Sequence, residues 1–307
     1  MTAASAWRRS SPSRKAHNMS DRSVTVIGLG PMGRAMIRTF LDADVEVTVW
    51  NRSPEKTDAM VELGATRAAT VGEALDANEL IVVSLTDYAA MYNVLGQAPD
   101  RLAGRVIANL SADSPANTRD AGTWVRARGG EFLAGGVMAQ SDGLANPESY
   151  VFFAGPPTVF EKHRDLLSVL GTPEYLGNDE GLAQLYYQAV LAIFNPLLLG
   201  FEQALAMIDR SGESIERFLP YAQRSMGQLD GVYAGFAAAA QAGGWGDAAN
   251  LRMMEAGARH VIETGKTVGV DTALAETVHG YWRQAVAASE RHGQPVPTFA
   301  IMRGHQP

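Results

Sequence analysis

The 307-residue chain contains no cysteine. That absence excludes disulfides, iron–sulfur clusters, thiolate zinc sites and a cysteine nucleophile together. Basic residues are scarce outside the first 20 positions, which hold Arg8, Arg9, Arg14 and Lys15 and no acid. The remainder carries 22 basic against 33 acidic groups, a net −11. So acidic a body is a poor match for a nucleic-acid backbone. The six histidines (17, 163, 260, 279, 292, 305) form no i,i+3 or i,i+4 pair, so no metal site is expected. Long hydrophobic runs are also missing. The longest nearly apolar stretch, Ala189 to Phe201, has 13 residues and contains Asn195 and Pro196. A spanning helix needs about 20, so a soluble, cytoplasmic protein with no membrane partner is expected. Residues 1–20 lack the apolar run of a secretory signal. They read as a disordered basic extension, with Met19 as an alternative start.

What is present is mostly ordinary for a folded chain: 46% apolar residues and 31 glycines. Strand-like and helix-like patterns alternate through the first half. Ser23–Ile27 is a short β-branched run ending in glycine, and Val45–Trp50 repeats valine at 45, 47 and 49. Leu80–Leu85 and Arg105–Leu110 are apolar throughout, the pattern of strands buried on both faces. Phe132–Met138, Tyr150–Ala154 and Glu174–Leu176 complete the strands. Helical segments are expected at Pro31–Leu41, Glu55–Leu63, Val71–Asp76, Tyr88–Leu95, Thr118–Arg128 and Val159–Leu170. The alternation implies a parallel, doubly wound sheet.

Near residue 178 the strand pattern stops. Residues 180–209 are apolar at helical spacing, about 45 Å of helix at 1.5 Å per residue. Pro196 is expected to kink or split it. Further helices are expected at about 214–241, 248–268 and 273–291. The fold class is therefore an α/β Rossmann domain (21–178) followed by an all-α domain (179–307), joined by a long interdomain helix. That helix has few partners in its own chain, and two chains wrapped around each other would supply them.

Gly28-Leu29-Gly30-Pro31-Met32-Gly33 is a G-x-G-x-x-G that follows a strand and opens a helix, as a dinucleotide site requires. The first glycine makes the turn, the second admits a pyrophosphate and the third lets helix pack on strand. At the end of the second strand an NAD site carries an acid for the ribose 2′-hydroxyl. This chain reads Asn51-Arg52-Ser53-Pro54-Glu55-Lys56 instead. The planar fork of Arg52, the Ser53 hydroxyl and the Lys56 charge suit a 2′-phosphate, which points to NADPH. Leu85 and Thr86, and Asn109 and Ser111, stand at the ends of two buried strands and are expected to line the ribose and nicotinamide.

A nicotinamide implies hydride transfer, and its partner group is sought where the long helix begins, facing the cleft between the domains. Five segments there and elsewhere carry a resemblance: GLGPMG (28–33), NRSPEK (51–56), GVMA (136–139), GLAQLYY (181–187) and GDAANLRMME (246–255). Over residues 23–300 the chain resembles the NADPH-dependent imine reductase and reductive aminase family, within the wider β-hydroxyacid dehydrogenase group. The resemblance implies reduction of C=N bonds, commonly in cyclic imines, and in some members reductive amination of a ketone by an amine. It also implies an intertwined homodimer. The family's proton source follows GLAxLY, a position held here by Tyr187. An aspartate eight residues earlier, found in reductive aminases among others, is Asp179 here. It would hold a cationic amine or iminium. Packing is the alternative for Tyr187, a role better suited to Tyr186, and helix capping is the alternative for Asp179. Tyr221, Trp245 and Asn250, each with plain packing as its alternative, join Met138 as candidate substrate-pocket residues.

Two competing readings stand beside this one. A β-hydroxyacid dehydrogenase places a lysine on the long helix, with asparagine four residues on. From Gly181 to Glu202 there is no lysine, and Leu191 stands four after Tyr187. That group also favours a serine-glycine-glycine turn where this chain has Leu133-Ala134-Gly135-Gly136. A non-catalytic NADPH-binding sensor would keep the fold without the chemistry.

Overall fold

The computed structural model describes residues 22–304 apart from 142, 145, 147 and 244–247. The expected N-terminal extension and Trp245 lie outside the described residues. The strands are β1 (Ser23–Ile27), β2 (Glu46–Trp50), β3 (Thr66–Arg67), β4 (Leu80–Val83), β5 (Val106–Asn109), β6 (Glu131–Met138), β7 (Tyr150–Ala154) and β8 (Thr172–Tyr175). Between them lie α1 (Pro31–Asp42), α2 (Asp58–Glu62), α3 (Val71–Ala77), α4 (Tyr88–Leu95), α5 (Pro115–Arg126) and α6 (Pro157–Leu167). A 30-residue helix follows, α7 (Gly181–Arg210). Then come α8 (Ile215–Met226), α9 (Leu229–Gln241), α10 (Ala248–Val268), α11 (Ala273–His292) and α12 (Thr298–Met302).

The eight strands form one sheet in the order β3-β2-β1-β4-β5-β6-β7-β8. Alternate residues of β1, β4 and β5 enter different cores. Val24, Val26, Leu80, Val82, Val106 and Ala108 pack on one face. Ile27, Ile81, Val83 and Ile107 pack on the other. Burial on both faces is why these strands read as unbroken apolar runs. Register matters for the site. Ile27 pairs with Trp50 and with Val83, Val83 with Asn109, and Asn109 with Ala134. The carboxyl ends of β1, β2, β4 and β5 therefore finish level, while β6 runs on through Gly135 and Gly136.

Several expectations needed correction. The sheet is mixed, because β6 and β7 pair antiparallel. A parallel return needs a crossover, usually helical, and the described residues between these two strands form no helix. The short edge strand β3 was missed, for its two exposed residues carry no period. Pro196 does not split α7, which is continuous across it. Proline costs a helix interior about 3 kcal/mol, and the leucines and alanines on either side outweigh that. Positions 214–241 form two helices that break at Gly227-Gln228, and α12 was not anticipated. Taken as a whole helix, α7 is long and apolar enough to cross a membrane, with a mean hydropathy of 1.6 in its best window. The 13-residue run within it had hidden this.

The chain divides into two compact units between Leu191 and Ala192, inside α7. The first turns of α7 belong to the sheet domain, with Gly181, Ala183 and Gln184 buried. In the second unit α10 and α11 pack side by side, joined by a 2.6 Å hydrogen bond between His279 Nε2 and a Glu255 carboxylate oxygen.

Candidate active site

The level strand ends open a cavity of about 750 Å³ at the point where the chain order reverses between β1 and β4. Ligands of doubly wound sheets bind at that point. One wall is the turn after β1, Gly28 to Met32. Gly28 has φ +101°, and a Cβ there would lie 2.2 Å from the Ser84 carbonyl oxygen. Gly33 must also be glycine, since its Cβ would fall 2.0 Å from the Gly28 oxygen. Gly33 is thus the packing glycine and does not line the cavity. Gly30 is different: a Cβ there meets nothing within 4 Å. No side chain caps α1 and no acid occupies its first turn. Its amino-terminal N–H groups are left for an anion, as a pyrophosphate site needs.

The second wall comes from the end of β2. Arg52, Ser53 and Lys56 line the cavity with Trp50 and Asn51. The Asn51 side chain has a specific task. Its Oδ1 accepts from Leu29 N–H at 3.1 Å and its Nδ2 donates to the Ser53 carbonyl at 3.0 Å. It ties the turn after β1 to the loop after β2.

The third wall was only partly foreseen. Leu85 and Thr86 line the cavity, and so do Ser84 and Asp87. Ala90, Asn93 and Gln97 also line it, from the α4 side. Their i,i+3 and i,i+4 spacing was the available signal. Asn109 and Ser111 do not line the cavity, contrary to expectation. Asn109 is fully buried; its Oδ1 accepts from Ser111 N–H and its Nδ2 donates to Met91 Sδ. Ser111 Oγ accepts from Leu85 N–H at 3.0 Å. Both residues brace the wall from behind.

Tyr187 and Asp179 lie at the start of α7. Tyr187 is half-buried, and its ring lies against Gly136. A Cβ on Gly136 would come within 2.8 Å of Tyr187 Cβ. The Tyr187 hydroxyl makes no hydrogen bond to any described residue. Tyr186 stacks edge-on against Phe152, with centroids 5.7 Å apart. Met138 ends β6 and packs on the same core as Tyr187. The Asp179 carboxylate accepts from Arg119 Nε at 2.7 Å and Nη2 at 2.8 Å, and from Gly181 N–H at 3.0 Å. These donors, Arg119 foremost, hold it below the usual carboxylate range despite some desolvation. Both of its oxygens are engaged in an ion pair and a helix cap. Next to it, buried Glu180 pairs with Arg126. Tyr221 and Asn250 belong to the second unit, on α8 and α10; Tyr221 is 63% exposed.

A glycine turn opening an uncapped helix, an arginine where an NAD site has an acid, and a phenol beside the sheet's carboxyl edge define an oxidoreductase of the dinucleotide-binding class. The comparisons narrow that class. Residues 179–303 match the family described as NADPH-dependent reductive aminase-like, C-terminal domain. Residues 23–181 match the NAD binding domain of 6-phosphogluconate dehydrogenase. The NADPH-dependent reductive aminase of Aspergillus oryzae is 29% identical over 89% of this chain and 93% of its own. An imine reductase from Bacillus cereus is 42% identical, with a TM-score of 0.77, over 87% of this chain and 93% of that one. The reductive aminase from Aspergillus terreus, solved with NADPH and ethyl-5-oxohexanoate, is 30% identical with a TM-score of 0.84, over 92% and 99%. The chain belongs to the imine reductase and reductive aminase family, NADPH-dependent oxidoreductases that act on C=N bonds.

Proposed function

We propose that this enzyme reduces small imines or iminium ions, cyclic ones among them, with Tyr187 as the proton donor or orienting group at the substrate nitrogen. The observation that carries this is the position of Tyr187. Its ring is seated on Gly136 at the overhanging edge of β6, on the α7 turn nearest the sheet, and its hydroxyl makes no hydrogen bond among the described residues.

NADPH, when bound, supplies the hydride. The Gly28–Met32 turn and the α1 amides would bind its pyrophosphate, and Arg52, Ser53 and Lys56 would hold its 2′-phosphate. A neutral imine becomes an amine by gaining one hydride at carbon and one proton at nitrogen. Tyr187 donates that proton, and solvent restores it. An iminium arrives already protonated, and Tyr187 then only orients it through a hydrogen bond. Asp179, ionised and paired with Arg119, anchors the start of α7; holding a substrate amine would require Arg119 to release it. Met138, Tyr221, Trp245 and Asn250 remain the proposed pocket residues, and ketone–amine pairs are a second proposed substrate class.

A second copy of the chain is proposed to cover the exposed apolar faces of α7 to α9. Ile193, Phe194, Leu198 and Leu199 are each more than 40% exposed, and a face this apolar is rarely left to water.

The test is NADPH consumption with a cyclic imine such as a pyrroline, with the product amine identified by mass spectrometry. Stoichiometric amine formation is expected. Failure with imines, together with oxidation of a hydroxy acid by NADP+, would favour the dehydrogenase reading. Binding of NADPH without any turnover would favour a sensor.

A further inference from the structure

Gln184 is fully buried on the first turn of α7. A primary amide in such a place is costly unless its polar atoms are matched. Here they are. Nε2 donates to the carbonyl oxygens of Gly135 at 2.8 Å and Ser111 at 3.1 Å. Oε1 accepts from Asp113 N–H at 3.2 Å. Two different segments of backbone thus meet on one side chain: β6, and the loop that follows β5.

Both segments lead to the reaction. Gly135 precedes Gly136, on which the Tyr187 ring rests. Tyr187 is three residues after Gln184, on the same side of the helix. Ser111 accepts from the Leu85 N–H through its own hydroxyl, and Leu85 is cavity wall. A bonded chain therefore runs from the Tyr187 turn, through Gln184 and Ser111, to the cofactor site. Apolar packing alone would hold α7 on the sheet but would tolerate sliding and rotation. Three directional bonds from one side chain do not.

We infer that Gln184 is a positioning residue: it fixes the rotation and depth of the first turns of α7, and so the placement of the Tyr187 hydroxyl relative to the cofactor wall. The inference rests on Tyr187 being the proton-donating or orienting group, and the experiment separates the two claims. Gln184→Met keeps the length of the side chain and removes its bonds. Gln184→Glu keeps the shape. As an acid it still donates to one carbonyl and accepts from Asp113; as a carboxylate it faces two carbonyl oxygens. Each is made alone and in a Tyr187→Phe background. The readouts are kcat and KM with a cyclic imine, the NADPH dissociation constant by fluorescence, and Tm.

Gln184→Met is expected to lower kcat by about tenfold or more through misplacement, with NADPH affinity kept. In the Tyr187→Phe background the same change should cost little, because the placed group is already gone. For Gln184→Glu, activity relative to wild type should fall as pH rises, and that dependence should vanish in the Tyr187→Phe background. Additive losses, or a loss of NADPH affinity that parallels the loss of kcat, would overturn the inference in favour of a purely structural amide. An unaltered kcat in Tyr187→Phe alone would remove the Tyr187 assignment, and the positioning role with it. If Gln184→Met does not fold, the pH profile of Gln184→Glu decides.

Discussion

In the unit that ends at Leu191, β4 and β5 are buried along their whole length, and Phe40, Phe132, Phe153 and Phe160 are wholly removed from solvent. In the unit that begins at Ala192, neither α8 nor α9 buries a single residue. Val232, Tyr233 and Phe236 stand more than 40% exposed. Both units draw on the same apolar residue types, so composition does not separate them. The first unit closes its core with its own elements, two layers of helix on one sheet. The second is a set of amphipathic helices whose apolar faces outnumber the partners the chain supplies. A sheet domain with a closed core and a helical unit with uncovered apolar faces is the contrast the proposed dimer would resolve.

The strongest way to break that comparison is assembly. Light scattering at submicromolar concentration should give a mass near twice that of one chain. Phe194→Glu or Leu198→Glu should leave unfolded or aggregated protein, because a charge placed on an apolar face that the proposed dimer buries costs several kcal/mol. A stable, active monomer would contradict it.

Cofactor choice sharpens the self-sufficient side. Arg52→Ala should raise KM for NADPH about ten- to a hundredfold and leave that for NADH nearly unchanged, from loss of a charge-assisted contact of roughly 1.5–3 kcal/mol. Equal effects on both would remove the 2′-phosphate assignment. Gly136→Ala probes the junction between sheet and α7. A methyl group 2.8 Å from Tyr187 Cβ has no room. Overpacking of this kind costs about 1–3 kcal/mol, and the displaced phenol should lower kcat by about tenfold or more. Full activity in this variant would show that the ring position does not matter.

The smallest effect is one of pH. His163 on α6 is largely buried, its Nε2 has no hydrogen-bond partner among the described residues, and the Glu79 carboxylate oxygen is 3.8 Å away. Burial lowers its pKa below the ordinary 6.5, more than Glu79 raises it. The stability that comes from keeping this imidazole neutral is fully present above about pH 6.5 and is lost as pH falls toward the folded-state value. Melting curves of wild type should therefore drop more steeply below that pH than those of His163→Leu. Parallel slopes would show that His163 does not titrate against folding.

The two units were also unequally legible in the sequence. Strands buried on both faces announce themselves, so β1, β4 and β5 were found within two residues of their ends. The direction of β7 was not, because an apolar strand reads alike in either sense, and only the connection distinguishes the two. The glycine turn and Arg52 were plain because their chemistry is local. Asn109 misled because its place at a strand end suited a ligand, while its amide turns inward to Ser111 and Met91. Arg119 lies 60 residues from Asp179, and no local pattern joins them. Gln184 sat inside a recognised segment with nothing to mark it, since its partners are mostly backbone carbonyls, which every residue has. The helices beyond Ala192 were visible by period, but where the period is all that speaks, the break at Gly227-Gln228 passed unnoticed.

The most direct test of the central claim compares Tyr187→Phe with wild type in turnover of a cyclic imine across about pH 7 to 9, within the range where a general acid contributes about 10²- to 10⁴-fold. The phenyl ring keeps the packing on Gly136, so Tm and NADPH affinity should hold. Turnover should fall by about tenfold or more, and the deficit should widen as pH rises, because less substrate then arrives protonated. Tyr186→Phe should do much less. Full turnover of the Tyr187→Phe enzyme across that range would return Tyr187 to packing and leave Asp179 as the group to test at the substrate nitrogen.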